Sequence, residues 1–208
     1  MSAQTKHEED KLVALASIAA ELYSVMSIAW GVSLAAKNAK VISAQAGENG
    51  LGFQPITVFI DEISQLAMQG VNDINNEALR LTKIAVSQQR SVDAYLRFNS
   101  VRTHHTDKRY IKSMTPAMER VEENMKHMTK EFKKSLNNLT MYLEIMDEHM
   151  LSARAVASVS RIVTSNAKEY KDKLKVVADS LEEATVLIKE KISDSYIHLN
   201  SVKAQSDF

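Results

Sequence analysis

The histidines are the side chains of this sequence with the widest chemical range, because imidazole serves as an acid, a base or a metal ligand. There are six of them, and they are scattered along the chain. His104 and His105 are adjacent, whereas two ligands on one helix need a spacing of four residues to share a face. No group of carboxylates accompanies them at ligand spacing. The sequence therefore predicts neither catalysis nor a metal site, and an enzyme is not expected.

One histidine leaves an alternative open. His149 lies between Met146 and Met150 on a predicted helix, where it is expected to be buried. Imidazole is a common axial ligand of haem, and helical bundles hold haem between facing helices. No second axial ligand stands out, so no cofactor is predicted. A bundle that senses haem or another small ligand remains the third possible function.

The strongest local charge lies between Arg97 and Lys112, a segment with five basic residues and only one acidic residue, Asp107. Apolar periodicity is lost over residues 100–115, which predicts a long solvated loop there. Tyr110 is the only aromatic residue of that segment, whereas surfaces for single-stranded nucleic acid combine basic and aromatic residues. The whole chain carries 26 Lys and Arg against 26 Asp and Glu. No nucleic-acid partner is therefore predicted.

Composition favours an all-α protein. The 208 residues include only 5 Gly and 2 Pro, and aromatic residues make up 6%, which is too little turn and strand chemistry for a β fold. The chain has no Cys, as is typical of the reducing cytoplasm. Residues 1–10 are polar, and the longest uncharged stretch, 22–36, falls short of the roughly 20 apolar residues that span a bilayer. We expect a cytoplasmic protein without a membrane span.

Apolar residues recur every seven positions, as they do along the seam of a coiled coil. In the first helix, predicted over about 8–46, two such series interleave. They comprise Ile18, Val25, Val32, Ala39 and Ala46, and Leu22, Ala29, Ala36 and Ser43. A second helix is predicted over about 55–98, and Thr115 and Pro116 predict the start of a third. The third helix carries a Met-rich series from Met118 to Ala153, which we interpret as core rather than as a docking stripe.

These elements predict a single domain over residues 1–208. Its expected architecture is an elongated antiparallel four-helix bundle or coiled coil made of two helical hairpins. The first hairpin would cover about 8–99, the loop 100–115, and the second hairpin about 116–203. Glycines at 47, 50 and 52 place the first reversal at 47–54.

The segment Asn38–Phe53, NAKVISAQAGENGLGF, resembles the hairpin tip of methyl-accepting chemotaxis proteins, whose signature runs close to NAAIEAARAGExGRGF. Nine positions match without a gap. They are Asn38, Ala39, Ala44, Ala46, Gly47, Glu48, Gly50, Gly52 and Phe53. The resemblance implies a helical hairpin that acts through protein contacts in chemotaxis or motility.

Three departures from the family pattern bear on partner contacts. Ile42 and Phe59 stand where the family has Glu, and Gln45 stands where it has Arg. In the family those polar residues engage the histidine kinase and its coupling protein. Their absence here argues against ordinary control of a kinase. The candidate contact residues at the tip are Asn38, Ile42, Gln45, Gly47, Glu48, Gly50, Gly52 and Phe53.

The chain also contains an internal echo. A shift of 121 positions brings Val41–Glu48 onto Ile162–Glu169 and Phe53 onto Leu174. This predicts a second tip that includes Asn166, Glu169 and Leu174. Residues 168–173 hold no Gly or Pro, so a continuous helix through them is the alternative.

Taken together, the residues and the resemblance predict a cytoplasmic, chemoreceptor-like signalling or adaptor protein. Its partner would be a protein of the chemotaxis or motility machinery, and a homodimer is possible. The structural alternative is a coiled-coil scaffold that has lost the contacts for kinase control.

Overall fold

Four long α-helices and two short 3-10 turns make up the fold, and the all-α prediction is confirmed. The computed structural model describes residues 3–104, 108–165 and 168–204. The helices are α1 (Ala3–Gln45), α2 (Gln54–His104), α3 (Lys108–Thr164) and α4 (Lys171–Ala204). The 3-10 turns are Gly47–Phe53, here called the first tip, and Lys168–Tyr170, called the second tip.

The four helices form one antiparallel bundle. Helix α1 packs mainly against α2 and α4, and α3 packs against the same two neighbours, so α1 and α3 are diagonal. The first tip also contacts α3. A Cβ on Gly52 would lie 3.3 Å from Cγ1 of Val163, in the last turn of that helix. Both tips therefore lie at one end of the bundle.

The seam predicted for α1 is the core of the bundle. All nine of its predicted positions are buried, from Ile18 to Ala46. In α3, the predicted series is also buried except for Met125, which is half-exposed. The Met side chains at 146 and 150 pack in this core, which supports their interpretation as core residues.

Residues that are 121 positions apart in the sequence are also alike in burial. Each of the following pairs consists of two buried residues: Ile18 and Leu139, Val25 and Met146, Val32 and Ala153, Ala39 and Ser160, Phe53 and Leu174, Ile60 and Leu181, Ala67 and Ile188. The two hairpins thus bury equivalent faces, although their sequences differ. Neither hairpin alone could cover its apolar stripe, and each provides the other's missing half.

Helices α2 and α3 are longer than their partners. The helices have 51 and 57 residues in α2 and α3, but 43 and 34 in α1 and α4. Continuous burial ends at Ala85 in α2 and begins at Phe132 in α3. Beyond these positions in α2 and α3, Met118 is the one buried residue among the described side chains. The α2–α3 hairpin therefore extends past the four-helix core as an arm.

The prediction of a long loop over residues 100–115 is wrong, because most of this segment is helical in the arm. Helix α2 continues to His104 and α3 begins at Lys108, while residues 105–107, including His105, lie outside the described part. Phe98, Val101 and Met114 line one groove between the two helices. Apolar side chains from both helices thus line the same groove, although the apolar periodicity of this segment is weak. Pro116 lies inside α3, so the prediction that Thr115 and Pro116 start the third helix is wrong.

Polar contacts fix the register of all four pairs of neighbouring helices. They are Glu21–Lys191 at 2.7 Å, Ser33–Asp61 at 2.6 Å, Arg80–Glu131 at 2.6 Å and Arg161–Asp179 at 2.8 Å. The bond from Lys191 to Glu21 raises the pKa of Lys191. Exposed pairs contribute little stability, but each of them disfavours a slip along the seam. Inside the core, the Ser135 hydroxyl donates to the buried Glu77 carboxylate.

We expect Ala39→Leu to lower the free energy of unfolding by about 1–3 kcal/mol, because the added methyl groups overpack a seam of small residues. Ala39 is fully buried among the α1 seam residues. Ala155→Leu is the matched control, because Ala155 is exposed on α3. Urea denaturation of both variants measures the difference, and equal midpoints would show that the seam at residue 39 is not packed.

Candidate interaction surface at the hairpin tips

Gly47 ends helix α1. The amide of Ala46 donates to the carbonyl of Ile42 at 3.0 Å, and Gly47 then adopts a φ of 56°. This left-handed conformation costs glycine little, and it is the usual way in which a helix ends. The reversal predicted at 47–54 is therefore confirmed as the 3-10 turn Gly47–Phe53.

Gly50 serves a different purpose from Gly47. The Ser43 hydroxyl donates to the Gly50 carbonyl at 2.5 Å, which draws the turn onto the last turns of α1. A Cβ on Gly50 would lie 2.1 Å from the Ser43 carbonyl oxygen. Position 50 therefore requires glycine, because any side chain would overlap the Ser43 carbonyl. Positive φ is not what requires glycine at positions 50 and 52, because among the described glycines only Gly47 has it.

Phe53 anchors the first tip to the core. Its side chain is 1% exposed and packs within the main hydrophobic cluster. The two residues before it, Leu51 and Gly52, are exposed. The side chain of Leu51 is 58% exposed.

The second tip is a break between two helices, so the alternative of a continuous helix through residues 168–173 is wrong. Helix α3 ends at Thr164, and the Ser165 amide and hydroxyl both donate to the carbonyl of Ile162. Leu174 is fully buried at the position equivalent to Phe53. Glu169 is exposed, and Asn166 lies outside the described residues.

Arg161 ties α3 to α4 beside the tips. Its guanidinium donates twice to Asp179, at 3.0 and 2.8 Å, and also pairs with Glu182. The hydrogen bond to Asp179 raises the pKa of Arg161, which stays charged. This fork holds the two helix ends at a fixed spacing, so the tip end has a defined shape.

The predicted contact residues of the first tip divide into two groups. Asn38, Gln45, Gly47, Glu48 and Gly52 are exposed, whereas Ile42 is half-buried and Gly50 and Phe53 are buried. The second group shapes the turn, and its buried members cannot contact a partner directly. The exposed part of the predicted site is therefore smaller than the sequence suggests.

Exposed apolar side chains around the tips were missed by sequence reasoning, apart from Phe59. They are Leu51, Val58, Phe59, Val159, Ile162 and Val176, and together they are called the tip surface below. Their sequence signal is an apolar residue off the seam. That signal is weak, because single exposed apolar residues are common in soluble proteins.

The structure gives no support to a ligand in the core. His149 is half-exposed rather than buried, and Met146 and Met150 fill the seam beside it. The void enclosed between Ala29, Ala67 and Met150 is about 10 Å³, far less than a haem requires. Within the described residues, no group of three or more His, Asp or Glu side chains could hold a metal ion.

Compared with known proteins, the chain matches no family model, no curated protein and no solved structure. The resemblance to the chemoreceptor tip therefore depends on Asn38–Phe53 alone. What the geometry provides is a rigid turn, a set of exposed apolar residues and charged groups near them. Such an arrangement can bind another macromolecule.

We expect three glycine variants to distinguish steric overlap at Gly50 from backbone strain at Gly47. Gly50→Ala should lower the free energy of unfolding by about 2 kcal/mol or more, because its Cβ would overlap the Ser43 carbonyl. Gly47→Ala should lower it by about 1–2 kcal/mol because of its positive φ alone. Gly31→Ala is the control and should raise the free energy of unfolding by about 0.5–1 kcal/mol, because Gly31 lies within α1 with nothing near its Cβ position.

Chemical denaturation monitored by circular dichroism measures all three variants. If Gly50→Ala were as stable as Gly31→Ala, the first tip would not be closed against α1 as described.

Proposed function

We propose that this chain is a non-enzymatic signalling or adaptor protein, which uses the tip end of its bundle to bind a protein partner. The observation that carries the proposal is the anchored first tip. Ser43, Gly50 and Phe53 fix its backbone, and Leu51 projects into solvent. An ordered apolar residue loses little entropy on binding, which favours its use as a contact.

The tip surface has the anatomy of a protein interface. Leu51 and Phe59 supply apolar contact area, with 58% and 55% of their surfaces exposed. Exposed charges lie nearby on the second tip and the start of α4: Glu169, Lys171, Asp172 and Lys173. Specific interfaces commonly combine an apolar centre with a polar rim. A small molecule, in contrast, would need a concave pocket.

The resemblance of Asn38–Phe53 to chemoreceptor tips supports a partner from the chemotaxis or motility machinery. A chemoreceptor forms its four-helix cross-section from two chains, whereas this chain forms one alone. Phe59 is exposed where the family has Glu, so the contact would be apolar rather than acidic. The balanced charge and the absence of cysteine are consistent with a cytoplasmic location.

A second candidate function is that of a structural scaffold without kinase control. The observation that favours it is the position of Ile42, which packs partly against the hydrophobic core. The equivalent family residue is polar and available for contact. In this chain that position instead contributes to packing, so one of the family's partner contacts is replaced.

We expect the wild-type protein to bind the chemotaxis coupling protein or histidine kinase of its own cell, and Leu51→Asp to weaken that binding at least about 30-fold. The physical reason is the burial of a charge at the centre of the contact. Ile197→Asp is the control, because Ile197 is 65% exposed but lies on α4, about 40 Å from the tips at 1.5 Å per residue. Isothermal titration calorimetry measures both.

Two outcomes contradict the proposal. If the wild type binds neither purified protein, the scaffold function is favoured. If Leu51→Asp binds as well as Ile197→Asp, the partner contacts another surface.

A further inference from the structure

Helix α1 is apolar on two opposite sides. Its inner seam, Ile18 to Ala46, is buried in the bundle. A second pair of series with the same seven-residue spacing lies on its outer side, where every residue is exposed. This outer seam comprises Val13, Ala20, Ser27, Leu34 and Val41, and Ala16, Tyr23, Trp30, Lys37 and Ala44.

The two seams point in nearly opposite directions. Outer positions of the first series follow inner ones by two residues, as Ala20 follows Ile18, and those of the second follow by one, as Tyr23 follows Leu22. At about 100° per residue, the centres of the two seams are about 150° apart. Helices α2 and α4 pack against the flanks of α1, so no helix in the described part of the chain covers the outer seam. Tyr23 and Trp30 are 78% and 63% exposed.

The outer seam differs from an ordinary solvated helix face. Between residues 12 and 36 of α1 the only charged residue is Glu21, and it is bonded to Lys191 of α4. Diagonally opposite, α3 presents Lys133, Lys134, Glu144, Glu148 and Arg154 to solvent. A soluble helix usually places such charges on its outer face. The lack of exposed charges over residues 12–36 of α1 indicates that this part of its outer face is covered.

We propose that the outer seam of α1 pairs antiparallel with the same seam of a second copy of this chain. Interleaved spacings of three and four residues form the seam of a coiled coil, which accepts another helix. In most layers of an antiparallel pair, a large residue meets a small one. Trp30 faces Ser27, Val41 faces Ala16 and Lys37 faces Ala20, whereas Tyr23 faces Leu34.

A parallel pair is disfavoured by the same residues. Each side chain would then face its own copy, which opposes two Trp30 rings and two Lys37 ammonium groups. Like charges in contact repel, whereas the antiparallel pairing separates the two Lys37 side chains by about 17 residues of helix, roughly 25 Å. The position of Lys37 therefore favours the antiparallel orientation.

The area reaches the threshold for a specific dimer. From Val13 to Ala44 the seam is about 48 Å long, and with a helix width of about 10 Å its footprint is roughly 500 Å² on each copy. Two copies would cover about 1,000 Å², where specific interfaces begin. Tyr23 and Trp30 near the middle are residue types that dominate binding energy.

A lipid surface is the weaker occupant. By length and composition α1 could cross a membrane between Asp10 and Gln45, as apolar core helices also could, and 33% of its most apolar window is buried inside the bundle. Helices that lie on membranes have a basic rim. Along the edges of the outer seam, Asp61 bonds Ser33 and Glu21 bonds Lys191, so the rim is mixed in charge.

The first test is oligomeric state. We expect sedimentation equilibrium to give twice the 23.3 kDa of one chain, and Trp30→Glu to raise the dimer Kd at least about 100-fold. Leu151→Glu is the control, because Leu151 is 62% exposed on α3, diagonal to α1, and its dimer should persist. Circular dichroism checks that both variants are folded. Trp30 is the only tryptophan, so dilution of the wild type should shift its emission to the red as the dimer dissociates.

The second test fixes orientation, using the absence of native cysteine. Ala16→Cys and Val41→Cys, made as separate proteins and mixed under oxidation, should form a disulfide between the two variants. Each variant alone should form far less, because within the antiparallel dimer identical positions lie far apart. Strong cross-linking of Ala16→Cys to itself would overturn the antiparallel pairing.

Three other outcomes would overturn the proposal of a dimer. One is a wild type that stays monomeric at every concentration tested. Another is equal loss of dimer in Trp30→Glu and Leu151→Glu. The third is a monomer that floats with vesicles containing one-third phosphatidylserine and loses this binding in Trp30→Glu, which would assign the outer seam to lipid.

Discussion

A helix in a four-helix bundle can bury only one stripe of its surface, and α1 has two. The inner stripe is used within the chain, where the small side chains of Ala36, Ala39 and Ser43 are buried in the seam. Close approach of that kind leaves no freedom in rotation, because turning α1 would bring large outer residues into a space sized for alanine. The outer stripe is consequently held facing solvent. Its exposure is thus a consequence of the packing that forms the core.

The same tight approach governs the first tip. Because the helices are close at Ser43, the chain must reverse within one short turn, and Gly50 is the residue that fits against the Ser43 carbonyl. Phe53 then re-enters the core immediately. The equivalent turn at Lys168–Tyr170 achieves reversal with a different sequence, and Leu174 replaces Phe53 as the anchor. What the two tips share is a buried apolar residue at the start of the returning helix. Glycine is the local solution at one of them.

Seven-residue spacing made the fold and most of the core predictable, since buried residues in long helices must repeat at that interval. The α2–α3 arm was not predictable in this way. Its seam includes Gln88 and Ser91, which are half-exposed because they lie beyond the four-helix core, so its periodicity is weak. The roles of the glycines depend on dihedral angles and distances that a sequence does not contain. The outer seam of α1 has a clear spacing, but the inner seam has the same spacing. Only the structure separates a covered face from an uncovered one.

An antiparallel pair of α1 helices would determine how the tips are presented. The centre of the outer seam lies between Ile28 and Ala29, about 21 residues from the first tip, so each tip would extend roughly 32 Å from the dimer axis. The two tip surfaces would then face opposite ends of the assembly, about 65 Å apart. That geometry prevents both tips from gripping one small partner, and it favours the bridging of two partner molecules, or of two sites on an extended array, where linkage raises the effective affinity. A chemoreceptor dimer, in contrast, presents both of its tips at one end. The resemblance at Asn38–Phe53 is therefore compatible with a protein that connects partners instead of one that transmits a signal along its length.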